Sequence, residues 1–323
     1  MKVLVCGGAG YIGSHMVQLL MERGHIPITF DNLSTGHSDA VGHTTLVVGD
    51  VLDDNALDGV FSEHGPFDLV MHFCAKSLVV ESVQKPHLYY ENNVIGTLRL
   101  LDAMRRHNHS RIVFSSTAAT YGIPQSELID EQHQCVPINP YGNTKLVIEG
   151  VLQDYHAAYN IRSLSFRYFN ACGAHPTAGI GERHDPETHL IPNVLKSLLD
   201  GGQKLKVFGG DYKTPDGSCV RDYVHVGDLC GAHLAAATYL DANDGAFVMN
   251  LGNGDGFSVL EIIKAVERVT GRTVAYDMEG RRPGDPPTLV ANAALATESL
   301  NWTPKFDTIE SIIETAWQFH QNT

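Results

Sequence analysis

The first half of the chain alternates short apolar runs with longer segments whose apolar residues recur every three or four positions. The short runs predict strands at 2–6, 27–30, 45–50, 67–73, 111–116 and 162–169. The periodic segments predict helices at 12–24, 52–65, 87–107 and 141–159. Strands that are apolar throughout and separated by helices are typical of a parallel sheet covered on both faces. We therefore predict an α/β fold with a doubly wound parallel sheet of Rossmann type.

The pattern changes after about residue 172, where Gly, Pro and Asp become frequent. Helices are predicted near 258–270 and 307–320. We expect a second, smaller α/β domain that binds the substrate. The predicted dinucleotide-binding domain covers 1–172 and about 223–255, and the predicted substrate domain covers 173–222 and 256–323.

Composition excludes several classes of protein. The 323 residues carry a formal net charge of −14, which disfavours nucleic-acid binding because phosphates require clustered Lys and Arg. The six cysteines form no Cys-x-x-Cys pair and are typical of free thiols in a reducing compartment. The first apolar run spans five residues before glycines interrupt it, and no run approaches the ~18 apolar residues of a membrane span. We expect a cytoplasmic protein.

Histidine is frequent, with 17 residues, but none shows a recognisable metal-ligand spacing. His184 and His189 lie close together in a loop-like stretch. The spacing still does not match a known site, so we expect no metal.

A glycine-rich turn, "VCGGAGYIGSH", places Gly7, Gly10 and Gly13 between the first strand and the first helix. Glycine lets the backbone approach a pyrophosphate, and the helix N-terminus favours an anion. A tight turn without a ligand is the alternative. Asp31 ends the second strand, where a carboxylate binds ribose hydroxyls and repels a 2′-phosphate. Asn32 follows instead of Arg, which favours NAD over NADP.

The third strand closes with "GDV", at residues 49–51. Asp50 would accept a hydrogen bond from the adenine amino group, and Val51 would pack on the ring. A plain loop aspartate is the competing interpretation of Asp50.

Tyr141 and Lys145 lie one helical turn apart in "NPYGNTK". Upstream, Ser115, Ser116 and Thr117 follow a strand that should end at the cofactor cleft. A tyrosine has a reference pKa near ~10, which a neighbouring ammonium and an oxidised nicotinamide would lower. The combination predicts a tyrosine base in an active site.

These motifs resemble the extended short-chain dehydrogenase/reductase family, and within it the UDP-glucose 4-epimerase branch. The resemblance covers nearly the whole chain, because six motifs fall in the family's order: "GGAGYIGSH", "SSTAATYG", "NPYGNTK", "RYFNACGAHP", "DGSCVRDYVHV" and "RRPGD". It implies interconversion of UDP-galactose and UDP-glucose through a 4-keto intermediate. Hydride passes reversibly between sugar C4 and tightly bound NAD.

The resemblance also assigns roles to residues. Tyr141, Lys145 and Thr117 are implied as catalytic, with Thr117 bridging Tyr141 to the sugar 4-hydroxyl. The implied cofactor-binding residues are Gly7, Gly10, Tyr11, Ile12, Gly13, Asp31, Asn32, Asp50, Val51, Phe73, Asn92, Ser115, Tyr141, Lys145 and Tyr168. The implied substrate-binding residues are Thr117, Asn170, His189, Leu190, Phe208, Arg221, Arg282 and Asp285. The helices at 87–107 and 141–159 are implied to pair across a homodimer.

Two positions depart from the family pattern. Ser77 occupies the place of a cofactor-contacting lysine, and Lys76 stands one position earlier without an assigned role. Leu289 is intermediate in size at a position that limits the sugar pocket. Activity on UDP-GlcNAc and UDP-GalNAc therefore stays open.

Three other functions fit the sequence less well. A nucleotide-sugar dehydratase needs an Asp-Glu pair after the threonine, where this chain has Ala118 and Ala119. A UDP-glucuronate enzyme needs a cationic or hydroxyl cluster that the sequence does not reveal. A non-catalytic NAD-binding regulator is disfavoured because Tyr141 and Lys145 are both present.

Overall fold

The protein is described by a computed structural model that covers residues 1–199, 201, 204–282 and 285–323. The strands are β1 Lys2–Cys6, β2 Ile26–Asp31, β3 Thr45–Val48, β4 Leu69–His72, β5 Arg111–Thr117, β6 Leu128–Ile129, β7 Arg162–Tyr168, β8 Asn170–Cys172, β9 Leu205–Phe208, β10 Val220–His225, β11 Ala246–Leu251, β12 Gly256–Ser258, β13 Tyr276–Glu279 and β14 Thr288–Ala291. The α-helices are α1 Tyr11–Glu22, α2 Asp54–His64, α3 Val79–Gln84, α4 Pro86–Tyr89, α5 Gly96–Arg106, α6 Pro140–Tyr159, α7 Leu190–Leu199, α8 Val226–Ala242, α9 Val259–Thr270, α10 Ala294–Leu300 and α11 Ile309–Gln321.

A seven-stranded parallel sheet in the order β11-β7-β5-β4-β1-β2-β3 forms the larger part of the molecule. The chain moves outward from β1 to β3 and then returns to the other side of β1 with β4. This reversal opens a crevice beyond the carboxyl ends of β1 and β4, where ligands bind in such sheets. The predicted doubly wound α/β fold is confirmed.

Helices cover both faces of this sheet because its strands are apolar on both sides. Along β1, Val3 and Val5 face a core formed with α1 and α8, whereas Leu4 and Cys6 face a core formed with α2, α5 and α6. All of these strand residues are fully buried. The two cores hold the carboxyl ends of the strands in register.

Two helical segments differ from the predicted pattern. The region 87–107 is not one regular helix, because a π-helical turn at Tyr90–Ile95 separates α4 from α5. The sequence pattern missed α8, in which apolar or small residues fill nearly every position between 229 and 240. Such a helix shows little apolar–polar contrast, so periodicity does not reveal it.

A second, five-stranded sheet is built around β10, which pairs with β8, β12 and β14, and β14 in turn pairs with β6. A two-stranded sheet of β9 and β13 lies beside α7, α9 and α11, which share a third core. The domain boundaries remain a prediction. By strand pairing, β6 and β8 belong to the second sheet although they lie within the predicted segment 1–172.

A bilayer span sets a minimum length and apolar content for a helix. None of the described helices combines the length and the apolar composition that crossing a bilayer requires.

Candidate active site

A cleft of about 550 Å³ opens at the carboxyl ends of the parallel strands and extends to the second sheet. A further cavity of about 400 Å³ adjoins it next to β2. The predicted substrate residues that line the cleft are Thr117, Asn170, His189, Leu190, Phe208, Arg221, Arg282 and Asp285. The predicted cofactor residues that line the cleft are Gly7, Gly10, Tyr11, Ile12, Gly13, Phe73, Ser115, Tyr141, Lys145 and Tyr168. Those that line the adjoining cavity include Asp31, Asn32, Val51 and Asn92.

The glycine turn is shaped by close backbone contacts. Gly7 has φ +79°, and a Cβ atom there would clash with the backbone of Cys74. A Cβ atom on Gly13 would overlap the Gly7 carbonyl. Helix α1 then begins at Tyr11, with Gly10 as an N-cap that provides no side-chain hydrogen bond. The helix N-terminus is thus open to the cleft, as an anion site requires.

Asp31 lies at the end of β2, where its carboxylate accepts hydrogen bonds from Ala9 N–H (2.9 Å) and Leu33 N–H (2.8 Å). These bonds fix the carboxylate beside the glycine turn. Asn32 donates a hydrogen bond of 2.8 Å to Asp50, which also accepts one of 2.8 Å from Leu52 N–H. Each Asp50 oxygen thus accepts one hydrogen bond, from the loop after β2 or from its own loop, and retains a second lone pair. The contact of Asp50 with adenine stays a prediction.

Tyr141 and Lys145 are placed by the start of α6. The Asn139 side chain caps this helix by accepting a hydrogen bond from Gly142 N–H at 2.8 Å, and Pro140 occupies the first turn. Lys145 is 2% exposed, and its Nζ donates a hydrogen bond of 2.7 Å to the Ser115 carbonyl. Burial lowers the pKa of Lys145 to about 7, although Cys74 and Glu149 act to raise it.

Burial and one hydrogen bond act on the Tyr141 pKa in opposite directions. Burial raises the pKa of Tyr141 above its usual value, and the hydrogen bond with Thr117 is the interaction that lowers it. The ammonium of Lys145 donates a hydrogen bond to the Ser115 carbonyl. Its Nζ atom lies 4.7 Å from the centre of the Phe114 ring. Among the described residues, Thr117 is therefore the group that lowers the Tyr141 pKa, and the effect of an oxidised nicotinamide stays a prediction.

A buried polar network supports the catalytic strand end. Glu149, one turn beyond Lys145, accepts hydrogen bonds from Arg167 (3.0 and 2.5 Å) and from the Ser116 hydroxyl (2.5 Å). On the adjacent side, the Tyr168 hydroxyl hydrogen-bonds to Ser115. The network joins α6 to β5 and β7. The sequence pattern did not single out Glu149 or Arg167, since neither belongs to a catalytic motif.

Asn93, which the sequence pattern did not single out, supports the part of the cavity wall that lies near Phe73. Asn93 is buried, accepts a hydrogen bond from Lys76 N–H (2.8 Å) and donates bonds to the Lys76 carbonyl (3.0 Å) and Thr144 (3.1 Å). Lys76, which had no assigned role, consequently lines the adjoining cavity together with Asn92 and Ser77.

The far wall of the cleft carries the predicted nucleotide contacts in two pairs. Arg221 forms an ion pair of 2.7 Å with Asp285, and Arg282 lies 3.9 Å from the centre of the Phe208 ring. Pairing of β10 with β14 places Arg221 beside Leu289, which also lines the cleft. Pro283 and Gly284 of the "RRPGD" motif lie outside the described residues.

Four titratable side chains meet between the two walls: Glu182, His184, Glu187 and His189. Burial opposes protonation of the imidazoles, but hydrogen bonds to Glu182 and Glu187 raise the pKa of His184 to about 9. Against the effect of burial, His184 and backbone donors lower the pKa of Glu187 to about 2. Of these four residues, only His189 was predicted as a substrate contact. The other three reach it through an irregular loop, whose shape the sequence does not indicate.

The chain is similar to known proteins over nearly its whole length. Residues 3–252 match the profile of the NAD dependent epimerase/dehydratase family. A UDP-glucose 4-epimerase of Halalkalibacterium halodurans is 49% identical over 99% of this chain and 96% of its own length.

Solved structures agree with this similarity. The UDP-glucose 4-epimerase of Brucella ovis in complex with NAD has a TM-score of 0.95 and 47% identity, covering 98% of this chain and 97% of that chain. The Bifidobacterium longum enzyme in complex with NAD+ and UDP has a TM-score of 0.94 and 38% identity, covering 100% and 99%. The resemblance to UDP-glucose 4-epimerases is thus confirmed, and the chain belongs to the NAD dependent epimerase/dehydratase family.

Proposed function

We propose that this protein interconverts UDP-galactose and UDP-glucose at C4 with tightly bound NAD. The observation that carries the proposal is the placement of Tyr141 and Thr117 between the glycine turn and the wall that holds Arg221 and Arg282, within one cleft. The similarity to UDP-glucose 4-epimerases supports it.

The residues of the glycine-turn side fit a dinucleotide. The open N-terminus of α1 provides N–H donors for a pyrophosphate. Gly7 and Gly13 have no space for a Cβ atom, and this allows the close backbone contacts that shape the turn before the helix. Asp31 would hold the adenosine ribose and disfavour a 2′-phosphate, so NAD is the expected form. When bound, NAD would supply a reversible hydride acceptor for sugar C4.

Tyr141 holds and moves the proton of the sugar 4-hydroxyl. Its hydrogen bond with Thr117 stabilises the phenolate against the effect of burial. Thr117 also closes β5, so its hydroxyl lies on a rigid strand end and keeps a fixed relation to α6. Lys145 anchors α6 to the Ser115 carbonyl and leaves further ammonium donors for a ribose hydroxyl.

The opposite wall would hold the UDP. Arg221 and Arg282 supply the positive charge that a diphosphate requires in an acidic chain. Phe208 offers a ring face for uracil, and Asp285 an acceptor for ribose. Strong interactions at this end and few at the sugar end would let the 4-keto sugar turn while UDP stays fixed.

Leu289 favours plain hexoses as substrates, because it projects a branched side chain into the cleft beside Arg221. Activity on UDP-GlcNAc, UDP-GalNAc or UDP-glucuronate is the alternative. Elimination of water is disfavoured, since Ala118 and Ala119 line the cleft where a dehydratase needs an acid and a base.

The assembly is proposed to be a homodimer. Large apolar side chains are exposed along α3, the π-helical turn and α6, including Val80 (70%), Val83 (62%), Ile95 (44%) and Val147 (38%). Burying such a surface against a second copy would stabilise the pair. Light scattering at micromolar concentration tests the dimer, and a monomer would contradict it.

A cytoplasmic location stays a prediction from the free cysteines.

Proton NMR of UDP-galactose with the purified protein, without added NAD, tests the proposed function. We expect a UDP-glucose/UDP-galactose mixture with the wild type and with Tyr159→Phe, which removes a hydroxyl from the same helix outside the cleft. Tyr141→Phe should show no conversion. If UDP-galactose remains unchanged even after NAD is supplied, the proposed substrate pair is wrong, and UDP-glucuronate and the N-acetylated sugars become the next candidates.

A further inference from the structure

The segment 182–189 brings two carboxylates and two imidazoles together outside the proton-transfer site. One ligand atom from each of Glu182, His184, Glu187 and His189 lies within 4.8 Å of all the others. His184 Nδ1 is 3.2 Å from Glu182 and 3.6 Å from Glu187, and His189 Nδ1 hydrogen-bonds to Glu182. The Nδ1 atoms of both imidazoles therefore point to the carboxylates.

The carboxylates of this cluster are buried rather than solvated. The side chains of Glu182 and Glu187 are 3% and 6% exposed. No described residue donates a hydrogen bond to Oε2 of Glu187, and the Lys196 ammonium is 3.6 Å away. Oε1 of Glu187 already accepts hydrogen bonds from Thr188 N–H (2.9 Å) and His189 N–H (3.0 Å). Oε2 is therefore the oxygen that is left for a metal ion, because a buried carboxylate oxygen without a hydrogen-bond donor is costly.

The donor set selects the class of cation. Two imidazole nitrogens and two carboxylate oxygens match the ligands of Zn²⁺ and related divalent transition metals, which bind four such groups. Mg²⁺ prefers oxygen ligands and water in octahedral geometry, so this set disfavours it.

We propose that Glu182, His184, Glu187 and His189 form a binding site for a divalent transition-metal ion. The ion takes the place of the protons on the two Nδ1 atoms, so the charge of the cluster is unchanged. Both Nε2–H groups stay available as donors. All four ligands come from the segment 182–189, which directly precedes α7. The ion therefore fixes the conformation of this segment.

The surroundings of His184 and His189 indicate which part of the protein a bound ion would stabilise. The His184 ring lies edge-on to Tyr11 at 6.1 Å and to His189 at 5.1 Å. His184 and His189 each line both the cleft and the adjoining cavity. A bound ion would therefore stabilise the wall that the two cavities share.

Zinc titration of the full-length protein tests the site. The protein is purified with its cofactor, treated with a chelator and titrated at pH 6.5 and pH 8, because protons compete with the metal for the imidazoles and binding should be tighter at the higher pH. A chromophoric chelator reports affinity, and Co²⁺ absorption reports coordination geometry. The test variant is His184→Ala/His189→Ala. The matched control is His43→Ala/His87→Ala, which removes two exposed histidines elsewhere.

We expect one tightly held Zn²⁺ per chain in the wild type and in the control. The test variant should bind it more than about 100-fold more weakly, since outer-shell changes alone cost 10–100-fold. Glu187→Gln keeps the shape of the side chain and should also weaken binding, which preserves the test if the double variant does not fold. Equal binding by wild type and a folded test variant, or no tight site in the wild type, would overturn the proposal.

Discussion

Arg183 and Asp39 form an ion pair with two hydrogen bonds of 2.9 Å each, which joins the segment before α7 to the loop after β2. A third contact, 3.1 Å between His37 Nε2 and the Arg183 carbonyl, reinforces the connection. Residues 183–186 line the cavity that also contains Asp31 and Val51. The pair therefore closes the segment over the proposed adenosine site.

Cofactor retention should depend on this ion pair. We expect Arg183→Ala to release NAD up to about 5-fold faster, because exposed ion pairs contribute about 1 kcal/mol or less. The fraction of NAD retained after timed desalting measures the effect. The charge reversal Asp39→Arg/Arg183→Asp should restore retention, and equal release from all three proteins would contradict this role.

Thr117 should control the pH at which Tyr141 becomes a base. Replacing Thr117 with Val removes the hydrogen bond that lowers the Tyr141 pKa and leaves the burial that raises it. We expect the acid limb of the kcat/KM profile to move to higher pH, with a loss of about 100-fold near neutrality. Thr117→Ser should retain the wild-type profile. An unshifted limb in Thr117→Val would contradict the assignment.

The buried pair of Glu149 and Arg167 should be strongly coupled. Both side chains are less than 10% exposed, so Glu149→Gln leaves the guanidinium without its counter-ion at an expected cost of about 3–5 kcal/mol. Denaturant unfolding measures this cost. The double variant Glu149→Leu/Arg167→Met removes both charges and should be destabilised less than Glu149→Gln. A larger loss in the double variant would refute the coupling.

Stability at acidic pH should depend on His233. Burial among Phe73, Phe166 and Tyr168 lowers the pKa of this imidazole from 6.5 to about 4. Between these values the unfolded chain binds the proton and the folded chain does not. The free energy of unfolding therefore falls as pH decreases through this window, by about 3 kcal/mol from this group.

His233→Phe should lose that part of the pH dependence, and urea unfolding at pH 6.5 and pH 4.5 measures it. His43→Ala, which changes an exposed histidine, should behave as the wild type. If the wild type and His233→Phe lose the same stability over this range, the imidazole is not buried in neutral form.

The sequence predicted the parallel sheet because buried parallel strands are apolar on both faces, as the alternation of Val3 and Leu4 between two cores illustrates. It also predicted most of the cleft, since strand ends and the start of α6 fix where Asp31, Thr117 and Tyr141 lie. Helix α8 was missed because its small apolar residues lack a polar face.

Other features depend on tertiary contacts that local sequence does not encode. Glu182 and Glu187 reach His184 through an irregular loop, and Glu149 meets Arg167 across α6 and β7. The spacing of Tyr141 and Lys145 placed both at the start of α6, but it did not show that the ammonium hydrogen-bonds to the Ser115 carbonyl. Spacing along a helix predicts proximity, whereas the direction of a side chain depends on its partners.

The fate of the hydrogen on sugar C4 tests the proposed hydride transfer most directly. UDP-galactose is incubated with the purified protein in D2O, and the UDP-glucose formed is examined by proton NMR. We predict that the C4 hydrogen signal remains, because this hydrogen leaves as hydride and returns to the opposite face without exchange with solvent. Incorporation of deuterium at C4 would show that a solvent-exchangeable proton is removed there, and would contradict hydride transfer.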